Sequence, residues 1–199
     1  MRRFIWCWLA VLALASSAWA ADEYKIDPVH SKVGFAVKHM AISTVEGRFT
    51  DFNGSILFDD KDPSKSSVSV SIKTSSINTD NTSRDNDLRS PNFLEAEKYP
   101  EITFKSKSVE KKGNGYVAHG TLTIKSVSKD VDLAFSLNGP IDTGRGKAMG
   151  AEAGLTINRQ DYGVTWSKSL PGGELMVAND VTIKINVEAR QAAPAAATK

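Results

Sequence analysis

Apolar and polar residues alternate along most of the chain, and this alternation predicts β-strands. Successive side chains of a strand point to opposite faces, so an apolar residue at every second position gives one face for a core and one for water. Val33, Phe35 and Val37 follow this rule, with Lys32 and Lys38 at either side of them. Segments with this alternation occur at 33–37, 68–72, 102–104, 116–124, 131–137, 151–157 and 181–187.

Turn signals separate these segments and indicate how they are connected. Gly and Asn cluster between several of them, as in Gly113-Asn114-Gly115, and such clusters favour hairpins between antiparallel strands. Gly47 and Gly54 lie inside a long predicted strand, where glycine indicates a bulge or a sharp bend. Evenly spaced strands with polar outer faces predict an all-β fold, an antiparallel β-barrel of about eight strands, with a two-sheet sandwich as the alternative.

One segment breaks the alternation and predicts a short helical insert between two strands. Thr82 with an acidic residue three positions later resembles a capping box. Ser90 followed by Pro91 is typical of a helix N-cap with proline in the first turn. We therefore predict two short helices, 82–90 and 91–96.

The two ends of the chain differ in composition from the rest. Residues 1–20 combine Arg2 and Arg3 with an apolar run that is shorter than the roughly 20 residues of a bilayer span. Small residues at positions 18 and 20 then predict a bacterial secretory signal peptide cleaved after Ala20, and hence export to the periplasm, with an uncleaved membrane anchor as the alternative. Residues 191–199 lack large apolar side chains and predict a disordered tail. The domain is expected over 21–190, without integral membrane segments.

Charge and cysteine content exclude several classes of protein. Without Arg2 and Arg3, the Lys and Arg count falls from 25 to 23, which equals the 23 Asp and Glu, so the domain carries no net charge. A neutral domain argues against nucleic acid as a partner. The one cysteine, Cys7, falls in the predicted signal peptide, so neither disulfides nor thiolate metal sites are expected. Motifs for a nucleophile elbow, a zinc protease or a phosphate loop are missing, and we predict no catalytic residue, metal or cofactor.

The inward stripe of the predicted barrel is the remaining candidate for a site. A closed barrel of eight strands either fills its interior with side chains or holds one small ligand. Large apolar residues on the inner face predict a ligand cavity here, with a plainly packed core as the alternative. The candidate lining residues are Phe35, Val37, Phe49, Phe52, Ile56, Val70, Ile72, Phe93, Phe104, Leu122, Ile124, Phe135, Leu155, Ile183 and Ile185.

Several segments together resemble the YceI-like lipid/polyisoprenoid-binding family. The resemblance implies a lipocalin-like barrel, export to the periplasm, and a long isoprenoid or similar amphiphilic lipid inside, with no cofactor and no established reaction. Asp87 stands where many relatives have histidine, and Ser126 where glycine is usual. The segments that carry the resemblance are 24–39, 47–54, 84–94, 98–104, 120–131 and 158–163.

If the ligand of such a barrel carries a phosphate, arginine is the residue type to expect beside it. Guanidinium groups suit phosphate because they donate two parallel hydrogen bonds. Arg84, Arg89 and Arg159 are the head-group candidates, and the alternative is that they hold the helical insert through ion pairs with Asp85 or Asp161.

The sequence thus predicts a periplasmic carrier or reservoir for an isoprenoid-type lipid. A protein-interaction or stress-response module, with contacts through the tail and the insert, is the first alternative. An enzyme acting on an isoprenoid or quinone is the second, with His39 as acid or base, because histidine titrates near neutral pH. His39 is also a head-group candidate, since it closes the inner stripe near a barrel mouth. Whether the chain forms a homodimer is left open.

Overall fold

The computed structural model describes residues 21–192, so the predicted signal peptide and all but two residues of the predicted tail lie outside the described part. No helix within that part is long and apolar enough to cross a bilayer. One helix is present there, α1 (Thr82–Arg89), together with 3₁₀ turns at Pro63–Lys65, Thr74–Ser76 and Arg159–Tyr162. The strands are β1 (Asp22–His39), β2 (Ser43–Phe49), β3 (Phe52–Phe58), β4 (Ser67–Lys73), β5 (Ile77–Asn78), β6 (Glu101–Lys112), β7 (Gly115–Ile124), β8 (Val127–Asp142), β9 (Lys147–Asn158) and β10 (Val177–Gln191).

The strands form one antiparallel sheet that closes on itself. Its order is β10-β9-β8-β7-β6-β4-β3-β1-β2-β5, and the barrel closes because β1 also pairs with β10. β2 and β3 are two halves of one bent strand, since β2 pairs with the second half of β1 and β3 with the first. β5 continues β4 in the same way by pairing with β2. The closed eight-stranded barrel confirms the predicted fold class and rules out the sandwich.

The bend in the second strand is not at the glycines. Gly47 and Gly54 both lie in uninterrupted ladders, opposite Phe35 and Val70, so the predicted bulges at these positions are wrong. The chain bends at residues 50–51, between β2 and β3. A Cβ at Gly47 would lie 2.3 Å from Cζ of Phe35, so this glycine is required by an aromatic ring rather than by a bend.

The helical insert has one helix, not two. The N-cap of α1 is Asn81, one residue before the predicted one, and its side-chain oxygen accepts a hydrogen bond from Arg84 N at 3.0 Å. The predicted helix 91–96 is wrong, because these residues form consecutive turns. Glu95 has a φ of 54°, which a right-handed helix does not allow, and its N–H donates to the carbonyl of Ser90.

The barrel has two unlike ends. At one end, which we call the closed end, Tyr24, Ile56, Met149 and Ala189 pack together and are buried. At the other, the open end, β1 finishes, β10 begins, and both α1 and residues 159–176 lie. Gln191 is the last residue of β10, and the Ala192 N–H donates to Glu23 at the closed end. These two residues therefore belong to the barrel and not to a tail.

Candidate functional site

The barrel encloses a cavity of about 250 Å³. A single water needs about 10–15 Å³, so this is an open interior and not a packing defect. The wall is the inner face of the strands, which the two-residue period makes apolar. Only four of the lining residues are polar, namely Ser66, Thr103, Arg159 and Tyr162. The cavity can therefore take an apolar chain but offers few hydrogen bonds.

All fifteen candidate lining residues lie on the wall of this cavity. Their contact with a ligand stays a prediction. Further wall residues of two kinds were not predicted from the sequence. Leu133 and Leu137 continue a stripe that was already recognised, and their alternation with polar residues could have identified them. Val164 and Leu88 come from segments outside the strands, where no period-two signal exists.

Glycines on two strands make room for the aromatic part of the wall. Opposite Gly47, the Phe35 ring turns toward Phe49, and the two ring centroids are 5.9 Å apart. On β7, a Cβ at Gly120 would lie 2.6 Å from Cζ of Phe104. Because glycine has no side chain, the Phe35 and Phe104 rings can lie across the neighbouring strands. This arrangement shapes the cavity without adding polar groups.

The open end of the cavity is partly covered by two segments. Leu88, Phe93 and Leu94 of the helical insert line it from one side. Residues 163–176, which we call the strap, cross from β9 to β10 on the other side, and Val164 faces the cavity. The insert and the strap meet where the rings of Phe93 and Trp166 lie 5.4 Å apart, centroid to centroid.

Arg159 holds the strap in place. The side chain is 5% exposed, and burial lowers the pKa of its guanidinium group below the usual value. It has no carboxylate partner within residues 21–192. All five of its N–H groups donate to protein oxygens, so none is left for a ligand head group. The acceptors, at 2.7–3.2 Å, are the carbonyls of Val164, Trp166, Val177 and Ala178 and the side-chain oxygen of Asn179.

Arg84 and Arg89 attach α1 to the segment before it. Arg84 donates from Nε to the hydroxyl of Thr79 at 2.8 Å and from Nη2 to the carbonyl of the same residue at 2.9 Å. Arg89 donates to the carbonyls of Ser75 and Ile77 at 2.7 and 2.6 Å. Neither arginine lines the cavity.

The alternative prediction for these arginines, ion pairs with Asp85 or Asp161, is wrong, because both carboxylates have other partners. Asp85 is buried and accepts hydrogen bonds from the backbone N–H and the hydroxyl of Thr79, at 2.8 and 2.6 Å. Asp161 pairs with Lys129 at 3.2 Å. The two arginines thus hold α1 through three backbone carbonyls and the Thr79 hydroxyl. A carbonyl partner could not be predicted from the sequence, because every residue has one.

His39 is the last residue of β1 and lies at the open end, partly exposed. Its ring makes no hydrogen bond to any residue of 21–192 and does not line the cavity. The hydroxyl of Ser43 donates to the His39 backbone carbonyl at 3.5 Å, and no hydrogen bond joins the His39 ring to a hydroxyl or carboxylate of the described residues.

Asp27, His30 and Glu188 form a polar cluster on the outside of the barrel. Atoms of these three residues that could bind a metal lie within 4.8 Å of one another. Arg190 donates to both carboxylates, at 3.2 and 2.8 Å, and a cation would have to displace it. The hydrogen bond from His30 is the main cause that lowers the pKa of Asp27 to about 2. This cluster is an ion-pair network that joins β1 to β10.

Comparison with known proteins places the chain in a family. Residues 24–189 match the YceI-like domain. Proteins named UPF0312 from Yersinia pestis and Serratia proteamaculans are 42% and 43% identical to it over 159 residues, which is 78% of this chain and 82% of each relative.

Solved structures agree with this assignment. The YceI protein of Campylobacter jejuni is 34% identical, with a TM-score of 0.68 over 78% of this chain and 90% of that chain. A polyisoprenoid binding domain from Saccharophagus degradans shares the fold alone, at 16% identity and a TM-score of 0.63 over 85% of this chain and 98% of that one. With the family match, the close relatives and the shared barrel all in agreement, this chain belongs to the YceI-like family.

Proposed function

We propose that this protein is a periplasmic carrier or reservoir that holds a long isoprenoid-type lipid inside its barrel and catalyses no reaction. The observation that carries the proposal is the cavity itself, whose wall is apolar apart from four residues. The polyisoprenoid binding domain from Saccharophagus degradans, which has the same fold, supports the choice of ligand class.

Apolar burial alone supplies enough affinity for such a ligand. One buried methylene contributes about 0.8 kcal/mol, so a five-carbon isoprene unit contributes about 4 kcal/mol at most. Two or three buried units exceed the roughly 8 kcal/mol of micromolar binding, before the costs of association are subtracted. A site of this kind needs no charged anchor, which agrees with the full use of the Arg159 donors by the protein.

The position of the polar groups supports binding rather than catalysis. General acid–base or nucleophilic catalysis needs two groups within hydrogen-bond reach of each other and of the substrate. Thr103, Ser66 and Tyr162 are the neutral polar residues of the wall, and none has a histidine or carboxylate beside it on that wall. The cavity is therefore suited to binding a ligand and not to catalysis.

Native mass spectrometry of protein purified from its own cells, followed by solvent extraction, tests the proposal. We expect a stoichiometric isoprenoid or quinone-like lipid in the extract. Ala153→Phe adds a ring to the cavity wall and should abolish this mass, whereas Ala134→Phe adds the same ring to the outer face and should leave it unchanged. A wild-type protein that always arrives without lipid would overturn the proposal and favour a protein-interaction role.

Cell fractionation tests the location separately. We expect the protein in the periplasmic fraction, with an N-terminus at Ala21 by Edman degradation. A chain that keeps Met1 and stays with the inner membrane would contradict export as a free carrier and favour the membrane-anchored alternative.

A further inference from the structure

The chain between β4 and β6 leaves the ladder of these two strands and returns to it at the same place. Lys73 pairs with Glu101 at the end of the ladder, and Thr74 N donates to the carbonyl of Pro100 at 2.9 Å. We call residues 75–99 the flap, which contains β5, α1 and the turns that follow α1. Because its two ends are joined at the base, the flap can turn as a unit about that base.

Hydrogen bonds inside the flap make it one body. Arg84 and Arg89 join α1 to residues 75–79 through bonds of 2.6–2.9 Å. The turns after α1 fold back onto it, since Leu94 N donates to the carbonyl of Leu88 at 3.0 Å. The apolar residues that the flap presents to the cavity therefore move together with α1.

One side of the flap is attached to the barrel by a short ladder. β5 pairs with β2 at two positions, and Arg48 on β2 donates to both carboxylate oxygens of Asp80 at 3.0 Å. This ion pair is exposed, so water competes with it and screens it. A ladder of two residue pairs at the end of an element is the kind of attachment that serves as a hinge.

The other side of the flap is held by Lys125, in the turn between β7 and β8. Its ammonium group lies 3.2 Å from Oε2 of Glu95 in the flap and donates to the carbonyl of Gly163 in the strap at 3.3 Å. The Lys125 side chain is 12% exposed, so this contact is better shielded from water than the Arg48–Asp80 pair. One ammonium group thus joins the two segments that cover the open end.

The backbone of Lys125 is strained. Its φ is 53°, and a two-residue hairpin turn with a positive φ at its first position favours glycine there. A side chain that is kept in a sparsely populated conformation indicates a demand on that side chain. The contact with Glu95 and Gly163 supplies such a demand.

Of the two covers, the strap is the fixed one. Arg159 makes five hydrogen bonds that join the first part of the strap to the start of β10. The carbonyl of Met176, at the other end of the strap, accepts a hydrogen bond of 2.9 Å from Met40 N. An opening wide enough for a ligand therefore requires the flap to move.

We propose that the flap is a lid that turns about its β2 side, and that Lys125 is the latch that holds it closed. The inference rests on the proposed function, since the lid opens to let a lipid enter or leave the cavity. Closure returns Leu88, Phe93 and Leu94 to the cavity wall, where apolar burial favours the closed state. The rate of lipid exchange is then set by how often the latch opens.

Trp166 reports the position of the lid without any ligand. A chain that begins at Ala21 has Trp166 as its single tryptophan, and the ring lies 5.4 Å from the Phe93 ring of the flap, centroid to centroid. Lys125→Met keeps the aliphatic side chain and leaves Glu95 with Lys98 as a partner at 3.6 Å. We expect this variant to increase the quenching of Trp166 fluorescence by acrylamide, because the Phe93 ring moves away more often.

Hydrogen exchange locates the same motion. In Lys125→Met we expect the amides of α1 to exchange faster and those of β9 and β10 to exchange at the wild-type rate. Lys107→Met is the control for both measurements, because Lys107 is an exposed lysine that pairs with Asp130 on the outside of the barrel. It should change neither the quenching nor the exchange of α1.

Stopped-flow fluorescence with all-trans-retinol, an isoprenoid alcohol that accepts energy from tryptophan, measures exchange directly. Lys125→Met should raise the association and the dissociation rate constants about ten-fold each and change Kd less than about three-fold, because the lid opens before both steps. Glu95→Gln keeps the bond from Lys125 to the Gly163 carbonyl, so both rate constants should rise by only about three-fold.

Two results would overturn the lid. One is Lys125→Met with wild-type quenching of Trp166 and wild-type exchange of α1. The other is Lys125→Met with faster dissociation of retinol alone and lower resistance to urea, because Lys125 would then stabilise the barrel instead of latching a lid.

The outcomes for the lid and for the carrier function can be distinguished. Protein that carries lipid from its cells but shows no response of Trp166 or α1 to Lys125→Met overturns the lid and leaves the carrier function intact. Protein in which both respond but from which no lipid is ever extracted keeps the moving flap and overturns the carrier function.

Discussion

At the scale of single residues, the shape of the barrel interior depends on the positions that carry glycine, which has no side chain. Gly47 leaves the space that the Phe35 ring occupies, and Gly120 does the same for Phe104. Gly47 belongs to a regular ladder, so its role cannot be read from the backbone, whereas Gly120 pairs with Ser106 beside a register shift. The sequence alone identified the aromatic residues of the wall except Phe58 and Tyr162. It assigned Gly47 to a bend, because glycine in a strand usually indicates a bulge.

Gly47→Ala tests this role. The new Cβ would lie 2.3 Å from the Phe35 ring and 2.8 Å from Thr79 Cγ2, so we expect a loss of about 1–3 kcal/mol in the free energy of unfolding from overpacking. Gly150→Ala is the control, since its Cβ would have no neighbour closer than 3.8 Å. Urea denaturation measures both, and equal effects would show that the Phe35 ring can move aside.

His119 should make the free energy of unfolding depend on pH. Its ring accepts or donates a hydrogen bond with Asp132 at 2.6 Å and lies 3.4 Å from Glu110, and these partners raise the pKa of His119 above its usual value. A raised pKa in the folded state means that this pair stabilises the protein below the unfolded-state pKa of about 6.5 and stops doing so as the pH rises through the folded-state pKa.

We therefore expect His119→Gln to be less stable than the wild type at pH 5.5 and equally stable at pH 9. Urea denaturation at the two pH values measures the difference, and an NMR titration of the ring measures the pKa directly. Asp132→Asn should lower that pKa toward its usual value. A stability difference that is the same at both pH values would contradict the assignment.

At the scale of elements, regular strands were predictable and irregular segments were not. The alternation of residues 116–124 and 131–137 identified β7 and β8 because side chains on one face of each strand are less exposed than those on the other. The predicted helix 91–96 failed because Glu95 adopts a positive φ and turns the chain back toward Ser90. The sequence around Pro91 carries a helix-start signal, and tertiary hydrogen bonds overrode it.

The strap shows why part of the candidate site could not be predicted. Its residues have no period, and the guanidinium that holds it binds four carbonyl oxygens, which every residue type possesses. Arg159 was therefore identified as a candidate residue, but for a role toward a head group and not toward the backbone.

Arg159→Met should destabilise the protein by about 3 kcal/mol, because buried carbonyls lose their donors. Arg159→Lys should recover less than half of that loss, since an ammonium group cannot reproduce the planar fork. Urea denaturation measures both variants. Arg145→Met removes an exposed arginine from the turn between β8 and β9 and should change stability by no more than about 0.5 kcal/mol. Full recovery by lysine would mean that the charge matters and not the hydrogen bonds.

At the scale of the whole molecule, the barrel and its proposed ligand should stabilise each other. A ligand that binds only the folded state adds about 2.7 kcal/mol to the free energy of unfolding at a concentration 100 times its Kd. The apolar wall predicts that affinity rises with each buried isoprene unit and stops rising once the cavity is full.

A series of polyprenols of increasing length measures this limit through the shift in Tm. We expect a rising shift and then a plateau in the wild type, and no shift at any length in Ala153→Phe. A shift that is the same for all lengths would mean that the lipid binds outside the cavity.

The buried residues of the closed end also determine how such a ligand has to be exchanged. Tyr24, Ile56, Met149 and Ala189 are buried against one another at that end, so within residues 21–192 a ligand is expected to enter and leave at the open end. The terminus of the lipid that enters first is the last to leave, and an incoming molecule cannot push its predecessor out of the far side. If the protein is the carrier that we propose, unloading must precede loading, and the protein acts as a shuttle that empties before it refills and not as a conduit.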